Sequence, residues 1–519
     1  MATEVLQQEN PLTKSARILL IITAMTCALI ELIDATVVNV ALPELQAGIG
    51  VTRTEIAWAT TAYSIGNIII IPLSGMLSDL FGRKNYFTAS VVVFTFCSLM
   101  CGLSTSLWEL VLWRCLQGLG GGGLLATAQS IVIGAFPTEK INTANTIFGI
   151  GMIVGPIFGP LIGGFIIQHL TWHWIFFVNL PIGVVAAVLS WLYVSDLKGS
   201  TKPKRVDGWG IALLVIGIGT LEFVLEEGGI YDWFSSTSIT ILFITAILSL
   251  TAFVIHELRT EHPALNLRLL KNYNLSMGML LMFIIGAVMI GSKFFFPLFV
   301  RVSLGWTAVQ TGQVLASFAI GAVIGMVVFR KILDKGVPQK IVMLVGLALM
   351  AIQLLYLSFS SPNANAAYYI FPLILGGVGG GALMLPVMSL ALIGLRGSEL
   401  AQGTGMSNMF KRLGSVIGIA VLNVLLDHQT AKVGAAMATH LNTYRQAFTG
   451  KLEGLKQLFL SAGYATDKAT QAAYQTMGNL LHKQQLLVSY NQGYMIMFIA
   501  LLVCIPVILL LKSQKKSKS

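Results

Sequence analysis

Long apolar segments recur along the whole sequence, and they constrain the fold more than any other feature. Of the 519 residues, 55% are hydrophobic and only 11% are charged, and the mean hydropathy is +0.79. Soluble domains carry about 25% charged residues, so this much apolar surface cannot be buried in a single water-soluble core. Lipid must therefore be the solvent for most of the chain.

Fourteen segments are long enough to cross a membrane, since a spanning helix needs about 20 mostly apolar residues. We predict an all-α polytopic membrane protein with fourteen transmembrane helices. The segments are 17–42, 55–77, 85–104, 107–133, 142–168, 175–195, 208–225, 237–256, 274–300, 308–330, 339–358, 368–393, 403–427 and 491–511. The fourth and fifth are the least apolar because glycine is abundant in them. The first follows a polar N-terminus and is too long for a cleaved signal peptide, so we expect it to be retained.

The distribution of Lys and Arg predicts the orientation in the membrane. With the N-terminus inside, the cytoplasmic segments hold 21 of these residues, whereas the short outer loops hold two, Arg53 and Arg301. The positive-inside rule therefore predicts that both termini are cytoplasmic. The same distribution accounts for the net charge of +11, because the basic residues lie between apolar runs. We expect the chain to contact lipid and not nucleic acid.

Several function classes lack support in the sequence. The five cysteines lie in apolar stretches, where they resemble small buried hydrophobes, so we predict no disulfide and no metal site. No GxxxxGK[ST] loop is present, which argues against an ATP-driven pump. The GxGxxG pattern at 118–123 lies inside an apolar segment, and His256 and His262 do not have the spacing of a helical zinc pair. We predict no enzyme activity and no cofactor.

Asp34 and Glu31 form an acidic pair in the first predicted helix. They lie three residues apart and therefore on one helix face. A charge at mid-membrane costs about 2.5–3.5 kcal/mol on insertion scales, so such residues usually face a cavity. Two neighbouring carboxylates resist simultaneous ionisation, which lets one of them hold a proton. We predict a proton-coupling site here; the alternative for Glu31 is a simple ion pair with a basic side chain.

Five short patterns, all before residue 210, resemble those of a known family. They are 32–43 (LIDATVVNVALP), 75–84 (GMLSDLFGRK), 114–120 (RCLQGLG), 151–164 (GMIVGPIFGPLIGG) and 172–183 (WHWIFFVNLPIG). Together they resemble the major facilitator superfamily, and specifically its fourteen-helix EmrB/QacA-type drug:proton antiporters. The chain departs from that pattern at Glu31, an extra acid, and at His173, where we expect Arg.

The resemblance implies a major facilitator fold of two six-helix bundles with two helices inserted between them. We predict a cytoplasmic tail at 1–16, an N-terminal bundle at 17–195, and linkers with the inserted helices 7 and 8 at 196–273. The C-terminal bundle would occupy 274–511 and the basic cytoplasmic tail 512–519. An outer, periplasmic loop at 428–490 interrupts the C-terminal bundle. Its helix-like stretches on either side of Tyr464 predict either an amphipathic hairpin on the membrane surface or a docking or gating element.

Arg114 is predicted to be the counter-charge of Asp34. About eight residues separate Asp34 from the outer end of its helix and about seven separate Arg114 from that of its own, so both lie about 10–12 Å deep. The resemblance implies that these two helices are neighbours. A purely structural salt bridge is the alternative role.

Further candidate residues follow from the motifs and from intramembrane charge. The predicted conformational motifs comprise Gly75, Asp79, Gly82, Arg83, Lys84, Gly151, Gly155, Pro156, Gly159, Pro160, Gly163 and Gly164. The glycines of the fifth segment recur every fourth residue, which predicts either plain tight packing or a seam that opens during export, and the prolines are expected to bend it. Candidate residues of a substrate cavity are Asn39, Gln117, Lys411 and Arg412. Glu222 and Lys293 lie near the outer ends of their segments, where long side chains can snorkel, so we expect structural roles for them.

The resemblance implies a proton-coupled exporter of amphipathic, drug-like compounds in the bacterial inner membrane. Acids combined with aromatic side chains suit cationic compounds. The resemblance also implies a periplasmic adaptor protein and an outer-membrane channel as partners, with 428–490 as the candidate contact. An uptake symporter of the same fold and a transport-inactive scaffold or sensor remain alternatives.

Overall fold

The computed structural model describes residues 14–136, 141–195, 207–261, 263–362, 364–395, 398–438 and 446–511, and these residues form helices without any strand. The helices are α1 (Lys14–Ile49), α2 (Arg53–Phe81), α3 (Arg83–Leu103), α4 (Leu107–Gly134), α5 (Ile141–His169), α6 (Trp174–Phe177), α7 (Asn179–Tyr193), α8 (Gly208–Glu227), α9 (Thr237–Arg259), α10 (Tyr273–Ile285), α11 (Gly291–Ser303), α12 (Ala308–Asp334), α13 (Gln339–Leu357), α14 (Ala366–Ala391), α15 (Ser398–Ala438), α16 (Gln446–Ser461), α17 (Thr466–Leu502) and α18 (Cys504–Leu510). A π-helical turn, Gly286–Ile290, joins α10 to α11. Most of the two predicted tails and of the linker before α8 lie outside the described residues.

All fourteen predicted segments are helical, and twelve spans in the described residues are long and apolar enough to cross a membrane. The predicted fourth and fifth segments form α4 and α5, which have 28 and 29 residues but are not among those twelve. Helix α4 is rich in glycine, and a Cβ at Gly118 or Gly122 would overlap backbone of α2. In α4, small residues that allow close approach of the neighbouring helix thus take the place of large apolar side chains.

Helix pairing follows the same order in the two halves of the chain. In the N-terminal half (α1 to α7), α2 packs on α4, α3 on α4, α1 on α5 and α3 on α7. In the C-terminal half (α10 to α15, α17 and α18), α12 packs on α14, α13 on α14, α10 on α15 and α13 on α17. The halves meet where the second helix of each contacts the fifth of the other, α2 with α15 and α12 with α5. This arrangement is an internal repeat of the kind that places transporter sites between two halves.

The inserted helices α8 and α9 form a hairpin beside this interface. They pack on each other, and α8 also contacts α2 and α15. The hairpin is tied at one end by His256, whose Nε2 lies 2.9 Å from both carboxylate oxygens of Asp207, the residue that caps α8. Helix α8 therefore touches both halves and can bring side chains to the boundary between them.

The segment 428–490 is helical on both sides of Tyr464, as predicted. Helix α15 continues to Ala438, α16 ends at Ser461, and α17 runs from Thr466 into the membrane. Helix α15 has 41 residues and α17 has 37. Helices α15 and α17 each continue a candidate span into this segment. Helix α16 packs on α17. The choice between a hairpin on the membrane surface and a docking or gating element therefore stays a prediction.

Candidate functional site

Asp34 and Arg114 form a buried ion pair in the N-terminal half, so the contact expected from their matched depths is present. Arg114 Nη1 lies 2.7 Å from Asp34 Oδ2, and their side chains are 1% and 0% exposed. The guanidinium also donates through Nε to the carbonyl of Ala59 and lies 4.1 Å from the ring centroid of Tyr63. The stacked ring and the backbone carbonyl hold Arg114 in one orientation, as a desolvated charge pair requires.

Two amide side chains complete the hydrogen bonding of Asp34. Gln117 Nε2 donates to Asp34 Oδ1 at 3.1 Å, and Gln117 Oε1 accepts from Arg114. Asn179 Nδ2 donates to the same Oδ1 at 2.7 Å and also to Ser98 Oγ at 3.0 Å. Arg114, Gln117 and Asn179 all donate to Asp34, so the site matches the ionised carboxylate. Gln117 was predicted to line a substrate cavity, whereas Asn179 and Ser98 were not predicted as site residues.

Glu31 lies one turn before Asp34 but has a different environment. Its Oε1 accepts from Asn67 Nδ2 at 2.9 Å. Its Oε2 is buried near the Tyr63 hydroxyl without a well-formed hydrogen bond. The positive charges of Arg412 and Lys411, from the C-terminal half, are within electrostatic range of Glu31. The two acids of α1 thus have different surroundings. Asp34 pairs within its own half, whereas Glu31 lies towards the basic side chains of the other half.

Glu222 was predicted to snorkel to the membrane surface, but its side chain does not do so. Its side chain is 0% exposed, and its Oε1 lies 3.9 Å from Nη2 of Arg412, whose side chain is 36% exposed. Arg412 also donates to Ser64 Oγ of α2 at 3.1 Å. Helix α8 carries Glu222 to the boundary between the halves, a placement that segment depth alone does not reveal. Arg412 therefore links α15, α2 and the inserted hairpin.

Lys411 and Lys293 are both partly buried in the C-terminal half. Lys293 Nζ lies 4.5 Å from the centroid of the Phe318 ring. Its position also differs from the prediction, because α11 continues to Ser303 and leaves Lys293 about 15 Å from the helix end at 1.5 Å per residue. The structure thus brings a second cation beside the predicted cavity residue Lys411.

The motif between α2 and α3 lies where the halves meet. Gly75 faces Gln402 of α15, and a Cβ at Gly75 would lie 3.3 Å from that backbone. Gly82 joins α2 to α3 with φ of +86°, a conformation that favours glycine. Arg83 donates to the carbonyl of Ser195 at the end of α7 at 2.9 Å, and Lys84 Nζ lies 4.4 Å above the Trp191 ring. Asp79 lies in the last turns of α2 and also has an interaction partner.

The glycines of α5 face α1, the helix that carries Asp34. A Cβ at Gly151, Gly155 or Gly159 would overlap Met25, Leu32 or Thr36 respectively. Gly163 is buried, whereas Gly164 has open space around it. Helix α5 is continuous from Ile141 to His169; the side chains of Pro156 and Pro160 lie outside the described residues.

Asn39 is placed apart from the other candidates. Its side chain is exposed and donates to the carbonyl of Ala35 in its own helix at 3.3 Å. Within the described residues, no group of three or more His, Cys, Asp or Glu side chains is arranged to hold a metal ion. The candidate site around Asp34 and Glu31 consists of acidic, amide and basic side chains, and such groups can exchange protons and bind polar groups.

Comparison with known proteins identifies relatives over most of the chain. The family model described as Major Facilitator Superfamily matches residues 24–419. The fatty acid resistance protein FarB of Neisseria gonorrhoeae is 28% identical over 93% of this chain and 93% of its own length. The multidrug export protein EmrB of Escherichia coli K12 is 28% identical over 87% of this chain and 88% of its own. A multidrug resistance protein B homolog of Mycobacterium tuberculosis H37Rv is 31% identical over 78% and 76%.

A solved structure supports the same architecture. The human organic anion transporter MFSD10 (TETRAN) superposes with a TM-score of 0.59 over 93% of this chain and 99% of that chain. The sequence identity is 12%, so this likeness concerns the fold alone.

Proposed function

Since the chain belongs to the Major Facilitator Superfamily, we propose that it is a proton-coupled antiporter that exports drug-like amphipathic compounds by alternating access. It is a multi-pass protein of the bacterial inner membrane, in keeping with the twelve candidate spans among its described residues and with its bacterial relatives. Relatives named as multidrug export and multidrug resistance proteins support the direction of transport. This family consists of transporters and not of enzymes.

The buried Asp34–Arg114 pair is the observation that carries the proposal. Ionised Asp34 binds Arg114, Gln117 and Asn179. A proton entering from outside neutralises the carboxylate and removes the charge that holds Arg114, so the two helices can separate. Release of that proton on the inner side restores the pair. Each charge that crosses 100 mV supplies about 2.3 kcal/mol, enough to accumulate substrate against a gradient.

Glu31 has a supporting role in this proposal. It lies between the Asp34 site and the basic side chains of α15, so its charge state influences how tightly the halves attract each other. Coupling then requires only that the proton reside on one of two neighbouring acids while substrate occupies the space between the halves.

The fourteen-helix topology with both termini cytoplasmic is part of the proposal. The 28 residues of α4 and 29 of α5 would span about 42 Å each at 1.5 Å per residue, more than the hydrocarbon core requires. Counting them with the twelve apolar spans gives an even number of crossings, which agrees with the distribution of Lys and Arg.

Transport in proteoliposomes tests the proposal. Asp34→Asn removes the titratable carboxyl but keeps its size, so efflux driven by a pH gradient should be abolished while membrane insertion is unchanged. Asp427→Asn, which changes an exposed acid of α15, is the matched control and should transport normally. Full coupled transport by Asp34→Asn would refute the proton site. Proton and substrate moving in the same direction would support a symporter instead, and no flux in the unmodified protein would support a scaffold.

A periplasmic adaptor and an outer-membrane channel are the proposed partners. Helices α16 and α17 and the turn between them expose apolar side chains, with Leu458 61%, Tyr464 49% and Tyr474 53% exposed. Apolar groups held away from the spanning helices suit a protein partner. Replacing residues 428–490 by a Gly/Ser linker should leave vesicle transport intact but lower resistance in cells. If both survive, the segment binds no essential partner; if both are lost, it belongs to the transport cycle or to folding.

A further inference from the structure

Glu222 of the inserted hairpin is a buried acid that the Asp34 mechanism does not use. We infer that Glu222 is a second proton-binding residue, and that its link to Arg412 makes the inserted hairpin part of the proton cycle. The inference rests on the proposed function, because it adds a proton site to the transporter. The observations behind it concern α8, α2 and α15, whereas Asp34 and Arg114 lie on α1 and α4.

The contacts of Arg412 place Glu222 deep in the membrane. One nitrogen, Arg412 Nη2, lies 3.9 Å from Glu222 Oε1 and 3.1 Å from Ser64 Oγ. Glu222 is therefore close to the level of Ser64, which follows Arg53, the first residue of α2, by about 16 Å at 1.5 Å per residue. A hydrocarbon core is about 30 Å thick, so the acid lies near its middle and not at the outer surface.

The carboxyl group of Glu222 lacks hydrogen bonds. The side chain is 0% exposed, and neither of its oxygens has a hydrogen-bond partner among the residues that the structure describes. The 3.9 Å contact with Arg412 is longer than a charge-assisted hydrogen bond, which measures about 2.7–2.9 Å. An ionised carboxylate buried in this way is costly, and such a group takes up a proton instead.

A second acid, Glu226, lies one turn further along α8 and interacts with the same cation. It follows Glu222 by four residues and therefore shares its helix face. The two acids repel each other, and Arg412 attracts both. Glu226 lies beside the hydroxyls of Ser64 and Thr61, which can donate to its carboxylate, whereas Glu222 has only the long contact with Arg412. Neighbouring carboxylates resist simultaneous ionisation, so the pair retains a proton, and Glu222 is the member that holds it.

Other ionisable groups on the helices packed against α8 are engaged elsewhere. On α2, the Tyr63 ring stacks on Arg114 of the N-terminal half. On α15, Lys411 is within electrostatic range of Glu31. The other acids of these helices lie away from the level of Ser64 and Arg412, namely Glu55 and Asp79 of α2, Glu257 of α9, and Glu399 and Asp427 of α15. The charge state of Glu222 therefore depends on its helix neighbour and on the arginine.

Protonation of Glu222 changes which helices Arg412 holds together. With Glu222 ionised, Arg412 ties α15 to the inserted hairpin. A proton that binds a carboxylate oxygen of Glu222 neutralises it, and Arg412 is then held by Ser64 of α2 and attracted by Glu31 of α1. Loss of that proton restores the attraction to Glu222. Arg412 thus shifts between the inserted hairpin and the N-terminal half as Glu222 loses and gains a proton.

Infrared spectroscopy of the full chain in phosphatidylcholine nanodiscs tests the inference without a substrate. A protonated carboxyl group has a C=O stretch that is separate from the bands of a carboxylate. Subtracting the spectra of Glu222→Gln from those of the unmodified protein isolates the signal of Glu222. We expect this signal to disappear as the pH is raised through the neutral range, because a proton carrier must both bind and release its proton there. Glu453→Gln, which changes an exposed acid of α16, is the control and should give no difference in this range.

Further variants report on the neighbours of Glu222, each compared with the same variant carrying Glu222→Gln. Arg412→Gln removes the cation that stabilises the carboxylate, so the signal should persist to a pH about 1 unit higher or more. Glu226→Gln removes a repelling charge, so the signal should disappear at a lower pH. Glu222→Asp should keep a titrating carboxyl signal, and it decides whether this position binds a proton if Glu222→Gln does not fold.

Three results would overturn the inference. In the first, the unmodified protein and Glu222→Gln give the same spectra at every pH, which would mean that Glu222 stays ionised. In the second, the signal persists in strongly alkaline solution, which would make Glu222 a permanently neutral packing residue. In the third, Arg412→Gln and Glu226→Gln leave the pH profile unchanged, which would separate Glu222 from Arg412. Absence of the Glu222 signal together with loss of efflux in Asp34→Asn leaves the proposed function standing, whereas a titrating Glu222 with normal efflux in Asp34→Asn refutes the Asp34 site alone.

Discussion

The buried charges of the two halves are balanced in different ways. In the N-terminal half, Arg114 lies 2.7 Å from Asp34 and both side chains are buried, with amide donors filling the remaining positions on the carboxylate. In the C-terminal half, Lys293 lies against the Phe318 ring, and Lys411 has Glu31 of the opposite half as an acid within electrostatic range. The Asp34–Arg114 pair is thus neutral within the N-terminal half, whereas Glu31 of that half and Lys411 of the C-terminal half attract each other across the boundary.

In the proposed mechanism, this difference separates two tasks of a coupled transporter. A self-contained acid–base pair responds to a proton, since protonation breaks its balance. An unpaired cation responds to a ligand or to the approach of the other half. The repeated helix pairing means that the same scaffold holds both arrangements, so the difference lies in a few side chains and not in the fold.

The largest difference between the halves should appear when the site arginine of each half, Arg114 or Arg412, is changed to glutamine. Arg114→Gln leaves Asp34 buried without its cation, which should lower the free energy of unfolding by about 3–5 kcal/mol and abolish transport. Arg412→Gln should lower the free energy of unfolding by less, because the Arg412 side chain is 36% exposed and lies 3.9 Å from Glu222. Unfolding of the two variants in detergent measures the difference. Equal losses would show that the halves do not differ in this way.

An intermediate effect is expected from the amides of the N-terminal half. Asn179→Ala removes a 2.7 Å donor to Asp34, and hydrogen bonds to charged groups contribute about 1.5–3 kcal/mol. We expect transport to fall about tenfold or more, which corresponds to about 1.4 kcal/mol or more. Asn39→Ala, which changes an exposed amide of the helix that carries Asp34, should transport normally. Normal transport by the Asn179 variant would mean that the pair with Arg114 suffices without its amides.

The smallest effect concerns the packing that positions α1. Gly159→Ala forces a methyl group against Thr36, two residues beyond Asp34, and overpacking costs about 1–3 kcal/mol. Gly164→Ala, in the same helix but with open space around it, should be neutral or stabilising by up to about 1 kcal/mol. Thermal unfolding and pH-driven efflux should both separate the two variants. If they behave alike, α5 does not hold α1 by this face.

Some site residues were accessible to sequence reasoning and others were not. Asp34 and Arg114 stood out because charges inside apolar segments are rare, and their depths matched. Asn179 lay in a recognised run of the sixth segment, but an uncharged amide in an apolar segment gives little signal that it completes a carboxylate site. Glu222 was misjudged because distance from a segment end does not say whether a side chain points to lipid or to another helix.

The sequence by itself determined the spanning segments, the expected orientation and the depth of each charge, because apolar length and a 1.5 Å rise per residue are properties of one helix at a time. Only the tertiary structure decided which charges meet. It paired Asp34 with Asn179, brought Glu222 to Arg412, and left Lys293 beside Phe318. These contacts depend on how helices rotate and cross, and that is set by backbone approach at glycines such as Gly118 and Gly286, where side chains from distant segments have to fit together at once.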